Sequence, residues 1–168
     1  GRSCGIPLAV CAEALGASQP EAGRQEVLHA RGGFTVVNDA YNANPDSMRA
    51  SLATFCALDV PGKHVAVLGD MLELGPFAPA LHTEVGECLG REKIDCLIAV
   101  GEMSAYIAQG ARDSGVPQVH HCPDKEAAKT LLEQVIRPDS TILVKASRGM
   151  QLEELTAFLM EHTIPAKY

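Results

Sequence analysis

The run Asn38-Asp39-Ala40-Tyr41-Asn42-Ala43-Asn44-Pro45-Asp46-Ser47 gathers carboxylates, a phenol and several amides into one short stretch. Such groups suit ribose hydroxyls, a base edge or the water shell of a metal ion. Part of the run has a plainer use, because Asn44 reads as an N-cap and Pro45 suits the first position of a helix. Asp39 and Asn42 precede that cap and are left for ligand contact. A second run, Lys145-Ala146-Ser147-Arg148-Gly149, offers two cations and a hydroxyl ahead of a helix. That arrangement suits a carboxylate or phosphate, with a pair of solvated basic side chains as the alternative. In a third, Gly69-Asp70-Met71-Leu72-Glu73-Leu74-Gly75, the acidic residues Asp70 and Glu73 read equally as metal or amine contacts and as a plain acidic turn.

Several familiar signatures are missing. No Gly-x-Gly-x-x-Gly follows the first expected strand, and Gly62-Lys63 is followed by His64 with Ala57 where a phosphate-binding loop needs its leading glycine. His120-His121-Cys122 has the residue types of a metal site, but strand neighbours point to opposite faces and no fourth ligand is suitably spaced. A metal site is therefore not expected. The cysteines, Cys4, Cys11, Cys56, Cys88, Cys96 and Cys122, form no Cys-x-x-Cys pair, and reduced, mostly buried thiols are expected. Thiol catalysis is disfavoured, since Cys56 and Cys88 fall within helices with no activating base nearby.

The elements that must position these runs follow from periodicity. Apolar runs at residues 34–39, 64–69, 96–101, 118–122 and 141–145 read as strands, most of them buried on both faces. Residues 25–30 add a strand hairpinned to 34–39 through Arg31-Gly32-Gly33. Helices are expected from Asn44 toward Pro61 and at 80–91, 104–114, 124–136 and 151–161. The alternation predicts an α/β fold, a Rossmann-like, mostly parallel sheet flanked by helices, with its polar runs along the carboxyl rim where such sheets bind ligands.

With 168 residues, a net charge of −7 and 46% hydrophobic content, the composition is that of an ordinary soluble domain with an adequate core. The acidic balance argues against a broad nucleic-acid or anionic-membrane surface. No apolar run approaches a membrane span and no secretory signal is evident, so a cytoplasmic protein is expected. Residues 6–15 suit one short amphipathic helix and residues 16–23 a linker, which suggests the tail of a longer protein.

Asp39-Ala40-Tyr41-Asn42-Ala43-Asn44-Pro45-Asp46-Ser47-Met48, Gly69-Asp70-Met71-Leu72-Glu73-Leu74-Gly75 and Leu143-Val144-Lys145-Ala146-Ser147-Arg148 together resemble the C-terminal domain of the Mur ligase family. The resemblance runs from about Gly23 to Glu161 and includes His82, where the family tends to place a histidine. It is to the branch that joins D-Ala-D-Ala to UDP-MurNAc-tripeptide, and no Asp-Asn-Pro-Arg string marks the diaminopimelate-adding branch. The resemblance implies an ATP-dependent, cytoplasmic ligase of peptidoglycan precursor synthesis that works through an acyl phosphate. It implies partner N-terminal and central domains, with ATP and Mg2+ held mainly by the central one. Residues 1–22 would be the central domain's tail and linker, and 23–168 the C-terminal domain, inactive alone and carrying no assigned catalytic residue.

By the same resemblance, Arg24 contacts ATP phosphate, Asp39 the ribose or nucleotide, and Asn42 lies near the phosphates, with Tyr41 and Asn44 on that side. Lys145, Ser147 and Arg148 match a late Lys-Gly-Ser-Arg motif for the incoming dipeptide or the acyl phosphate, joined by Asp70 and Glu73. Ala146 replaces the family's glycine, leaving that loop's pose open. The alternatives are a related amide ligase with another amino substrate and a non-catalytic α/β module that binds a nucleotide or a partner.

Overall fold

The computed structural model describes residues 23–60 and 62–162, together with residues 5, 7, 9–11 and 13. The linker expected over 16–23 lies outside the described residues except for Gly23, as do Pro61 and much of the helix expected over 6–15. From residue 23 onward the chain forms strand β1 (Glu26–His29), β2 (Thr35–Asn38), helix α1 (Pro45–Cys56) and β3 (His64–Gly69). It continues with α2 (Ala78–Leu89), β4 (Cys96–Val100), α3 (Ser104–Asp113), β5 (Gln118–Cys122), α4 (Lys125–Val135), β6 (Thr141–Lys145) and α5 (Glu153–Glu161).

The strands form one sheet in the order β1-β2-β6-β3-β4-β5. All neighbours are parallel except the β1–β2 hairpin at one edge, where Glu26 faces Asn38 and His29 faces Thr35. Alternation along the central strands feeds two cores. Val65, Val67, Ile98, Ile142 and Val144 pack with Leu132, Leu155 and Leu159 of α4 and α5. Ala66, Leu68, Leu97, Ala99 and Leu143 face the other way, onto Met48, Leu52, Phe55, Val85 and Ile107 of α1, α2 and α3. The expected α/β sandwich is borne out.

α2 and α3 lie unusually close. A Cβ at Gly86 would come within 2.2 Å of the Ile107 carbonyl oxygen, and one at Gly110 within 2.4 Å of that of Thr83. Only glycine permits that approach.

Several helix boundaries differ from expectation, and three of them have a local reason. α1 ends at Cys56, before Pro61, with the amide of the capping residue Ala57 bonded to Ala53 and Phe55. α2 begins two residues early because a 3-10 turn at Gly75–Phe77 leads into it, and Pro79 fits a first turn that needs no amide donor. α5 begins only at Glu153, because Gln151 adopts a left-handed φ of 54° and closes a separate 3-10 turn at Arg148–Met150.

Candidate functional site

Helices α1 and α2, which follow β2 and β3, cover one face of the sheet, whereas α5, which follows β6, covers the other. β6 lies between β2 and β3, so the covering helices change sides on both of its flanks. A crevice opens at the carboxyl end at such a switch. The sequence delivers its polar runs there.

Parallel pairing sets Asn38 opposite Val144, so the next residues, Asp39 and Lys145, emerge side by side. The Lys145 ammonium, on a side chain 3% exposed, donates to Asp39 Oδ2 at 2.7 Å and to the Asn42 carbonyl at 3.0 Å. Two residues read as belonging to different ligands thus form one buried ion pair. Asp39 Oδ1 also accepts the Gln25 amide at 3.2 Å, and Tyr41 N donates to Gly23 O at 3.0 Å. These bonds fasten the segment preceding β1 against the run after β2. Arg24 is thereby held with its guanidinium carbon 4.1 Å from the Tyr41 ring centroid, and that of Arg148 approaches the same ring at 5.3 Å. Both distances suit cation–π attraction.

Asn44 caps α1 as expected: its side chain accepts Ser47 N at 2.8 Å, and Ser47 Oγ accepts Asn44 N at 3.0 Å. Asn42 Oδ1 accepts the amide of Ala43 at 2.9 Å.

On the other flank of β6, Ser147 joins three loops. Its hydroxyl donates to Ala43 O at 3.2 Å and accepts Leu72 N at 2.9 Å, while its amide donates to Asp70 O at 3.1 Å. Asp70 is buried, and its carboxylate accepts Ser104 N at 2.7 Å and Met103 N at 3.2 Å. It holds the first turn of α3. Glu73 instead is exposed at a left-handed φ of 65°. His82 is fully buried; Nε2 accepts Met71 N at 2.9 Å and Nδ1 lies 2.7 Å from Ala78 O. Those partners require the neutral ring with its proton on Nδ1.

Three clefts open along this rim. One, of about 480 Å³, is lined by Arg24, Gln25, Asp39, Tyr41, Asn42, Asn44 and Lys145, among others. A second, of about 310 Å³, lies between Tyr41 and Arg148 and is also lined by Gly23, Asn38, Ala40 and Glu153. The smallest, of about 120 Å³, is lined by Asn42, Leu72, Glu73, Ser147, Arg148 and Gly149. Asn42 belongs to the first and the last, and Asp70 opens onto none of them. Gln25 is the participant that sequence reasoning missed, since it acts through a main-chain amide that no residue type reveals.

Among the described residues, no group of three or more His, Cys, Asp or Glu side chains is placed to hold a metal ion. In β5, His121 Nε2 bonds the Gly101 carbonyl at 2.7 Å. Burial, aided by Glu92, pushes the Cys56 thiol up to about 11, and burial pushes Cys96 up to about 11 against the opposing charge of Lys63. Neither is poised as a nucleophile. No helix among the described residues is long and apolar enough to cross a membrane.

A carboxyl rim at a topological switch, with a buried ion pair lining its larger cleft, has the form in which α/β domains bind ligands. Residues 23–148 match the family model "Mur ligase, glutamate ligase domain", and the chain belongs to that family. It is 38% identical over 139 residues to UDP-N-acetylmuramoyl-tripeptide–D-alanyl-D-alanine ligase of Bacillus subtilis, covering 82% of this chain and 30% of that one. The Escherichia coli ligase of the same name is 39% identical over 129 residues, covering 76% and 27%. Among solved structures, MurF from Acinetobacter baumannii superposes with a TM-score of 0.82 at 29% identity, covering 95% of this chain and 35% of that one. MurF from Thermotoga maritima in complex with ADP gives 0.72 at 25% identity, covering 90% and 36%. The chain spans about a third of the length of these relatives.

Proposed function

We propose that residues 23–168 are the C-terminal domain of a cytoplasmic, ATP-dependent ligase that joins D-Ala-D-Ala to UDP-MurNAc-tripeptide, with residues 1–22 leading in from its ATP-binding domain. The observation that carries this reading is the pair of adjoining clefts on the rim, one large and one small, that share Asn42. A ligase that activates one reactant with ATP and then admits an amine needs two such compartments side by side. The relatives' shared name supplies the substrates.

The large cleft is assigned to ATP. Asp39 keeps acceptor capacity beyond its two bonds and faces the nucleotide, while Tyr41, Asn42 and Asn44 line the same wall. Arg24, steadied on Tyr41, meets phosphate and counters the charge of the transferring group. The peptide carboxylate takes the terminal phosphoryl group of ATP and ADP leaves; the neutral amine attacks the acyl carbonyl, gives up a proton to solvent, and the tetrahedral intermediate collapses to amide and phosphate. The small cleft receives the incoming dipeptide: Arg148 pairs with its carboxylate, Glu73 faces its amino end, and Leu72 forms an apolar wall. Ser147 ties the floors of both clefts together, so amine and acyl phosphate meet at a set distance. Asp70 supports this side through the start of α3. ATP's Mg2+ is assigned mainly to the partner domains.

The test is phosphate release from MgATP with UDP-MurNAc-tripeptide and D-Ala-D-Ala, using the chain joined to the sequence its gene encodes ahead of Gly1. Dipeptide-dependent release is expected there, with Arg148→Ala raising KM for the dipeptide by about tenfold or more, the loss of one charge-assisted contact. A folded long protein that releases phosphate only with another amine, or not at all, overturns the assignment.

A further inference from the structure

The cations of this site differ sharply in surroundings. Arg24 and Arg148 are exposed, whereas Lys145 is 2% exposed and its ammonium already has a carboxylate and a carbonyl as partners. Drawing it out to meet a substrate anion would leave Asp39 as a poorly compensated buried charge. The bonds lead in the opposite direction. Asp39 uses Oδ2 for Lys145 and Oδ1 for the amide of Gln25, a non-glycine residue held at φ 50°. That left-handed conformation is disfavoured for a residue with a Cβ, and the bond to Asp39 supports it. Arg24, one residue earlier, rests on Tyr41. Through the Asn42 carbonyl, the same ammonium restrains the residue common to the large and small clefts.

We infer that Lys145, although it lines the large cleft, is a positioning residue whose ammonium stays on its protein partners and not on a substrate: through Asp39 it sets the segment carrying Arg24, and through the Asn42 carbonyl it steadies the loop on the large-cleft side. The local coupling stands on the geometry alone. Its kinetic consequence rests on the ligase reading, and is that Lys145 governs the nucleotide side although it ends the strand whose next residues face the dipeptide.

Two measurements test this. In the chain itself, amide hydrogen exchange at Gln25 is compared for Lys145→Met, Asp39→Ala, the double variant and the surface control Lys129→Ala. Lys145→Met is expected to speed Gln25 exchange by about tenfold or more, with the control within about twofold. The double variant removes both charges, so it stays informative should Asp39→Ala alone fail to fold. In the ligase, Lys145→Met is expected to raise KM for ATP by about tenfold while KM for D-Ala-D-Ala moves by less than about twofold. The double variant is then no worse than the worse single one, since the two residues act as a unit.

Unchanged Gln25 exchange in a folded Lys145→Met variant overturns the inference, and so does a rise confined to the dipeptide KM. Absence of dipeptide-dependent turnover in the unsubstituted ligase defeats the ligase reading instead, and leaves the exchange result to decide the local coupling.

Discussion

Gly69 lies against Ala146: a Cβ on Gly69 would sit 2.7 Å from the Ala146 methyl and 2.9 Å from Leu152 Cδ1. Ala146, fully buried, is absent from the described non-glycine residues with positive φ. The Ala146 methyl is therefore accommodated by a glycine on the neighbouring strand. Gly69→Ala is expected to destabilise the chain by about 1–3 kcal/mol through overpacking, and adding Ala146→Gly to recover part of that loss. Urea unfolding of the single and double variants checks it. Simple additivity would show that the two positions do not share space.

His82 links α2 to the loop after β3 through both ring nitrogens. His82→Ala is expected to cost about 2–4 kcal/mol, combining a cavity with an orphaned buried Met71 amide. His82→Phe fills the space but restores no acceptor, so it should remain clearly destabilised. Full stability in the Phe variant would mean that packing alone explains the histidine.

Asp70 is the acceptor for two amides at the start of α3. Asp70→Ala is expected to cost about 1–3 kcal/mol and to raise amide exchange at Ser104 and Met103 before the rest of α3. In the proposed ligase, a lower midpoint with an almost unchanged dipeptide KM is the expected pattern. A large KM effect without loss of stability would return Asp70 to the substrate.

The thiols of Cys56 and Cys96 are both raised from 9.0 to about 11 in the folded chain. Below about pH 9 both states hold these protons and the thiols contribute no pH slope. Between about 9 and 11 the unfolded chain releases them first, so stability falls as pH rises. Denaturation midpoints across that range should decline less steeply for Cys56→Ala and Cys96→Ala than for the unsubstituted chain. Parallel curves would sink this prediction.

Much of this was readable in advance. β-branched runs marked the buried strands, and Asn44-Pro45 marked the start of α1 to the residue, because capping depends on neighbours in sequence. The polar runs after β2, β3 and β6 were placed on one rim because parallel strands must end on the same side. Boundaries set by backbone conformation, such as the left-handed Gln151 ahead of α5, left no mark in side-chain type.

Residue types and their order thus determined the α/β class, the carboxyl-rim location and the inventory of groups there, since these follow from local propensity and hydrophobic period. Strand order decided the rest. Inserting β6 between β2 and β3 brought Asp39 against Lys145 and Ser147 against Ala43 and Leu72. Those partners are far apart in the chain, and only the folded sheet decides which charges are buried against one another and which lie at the surface.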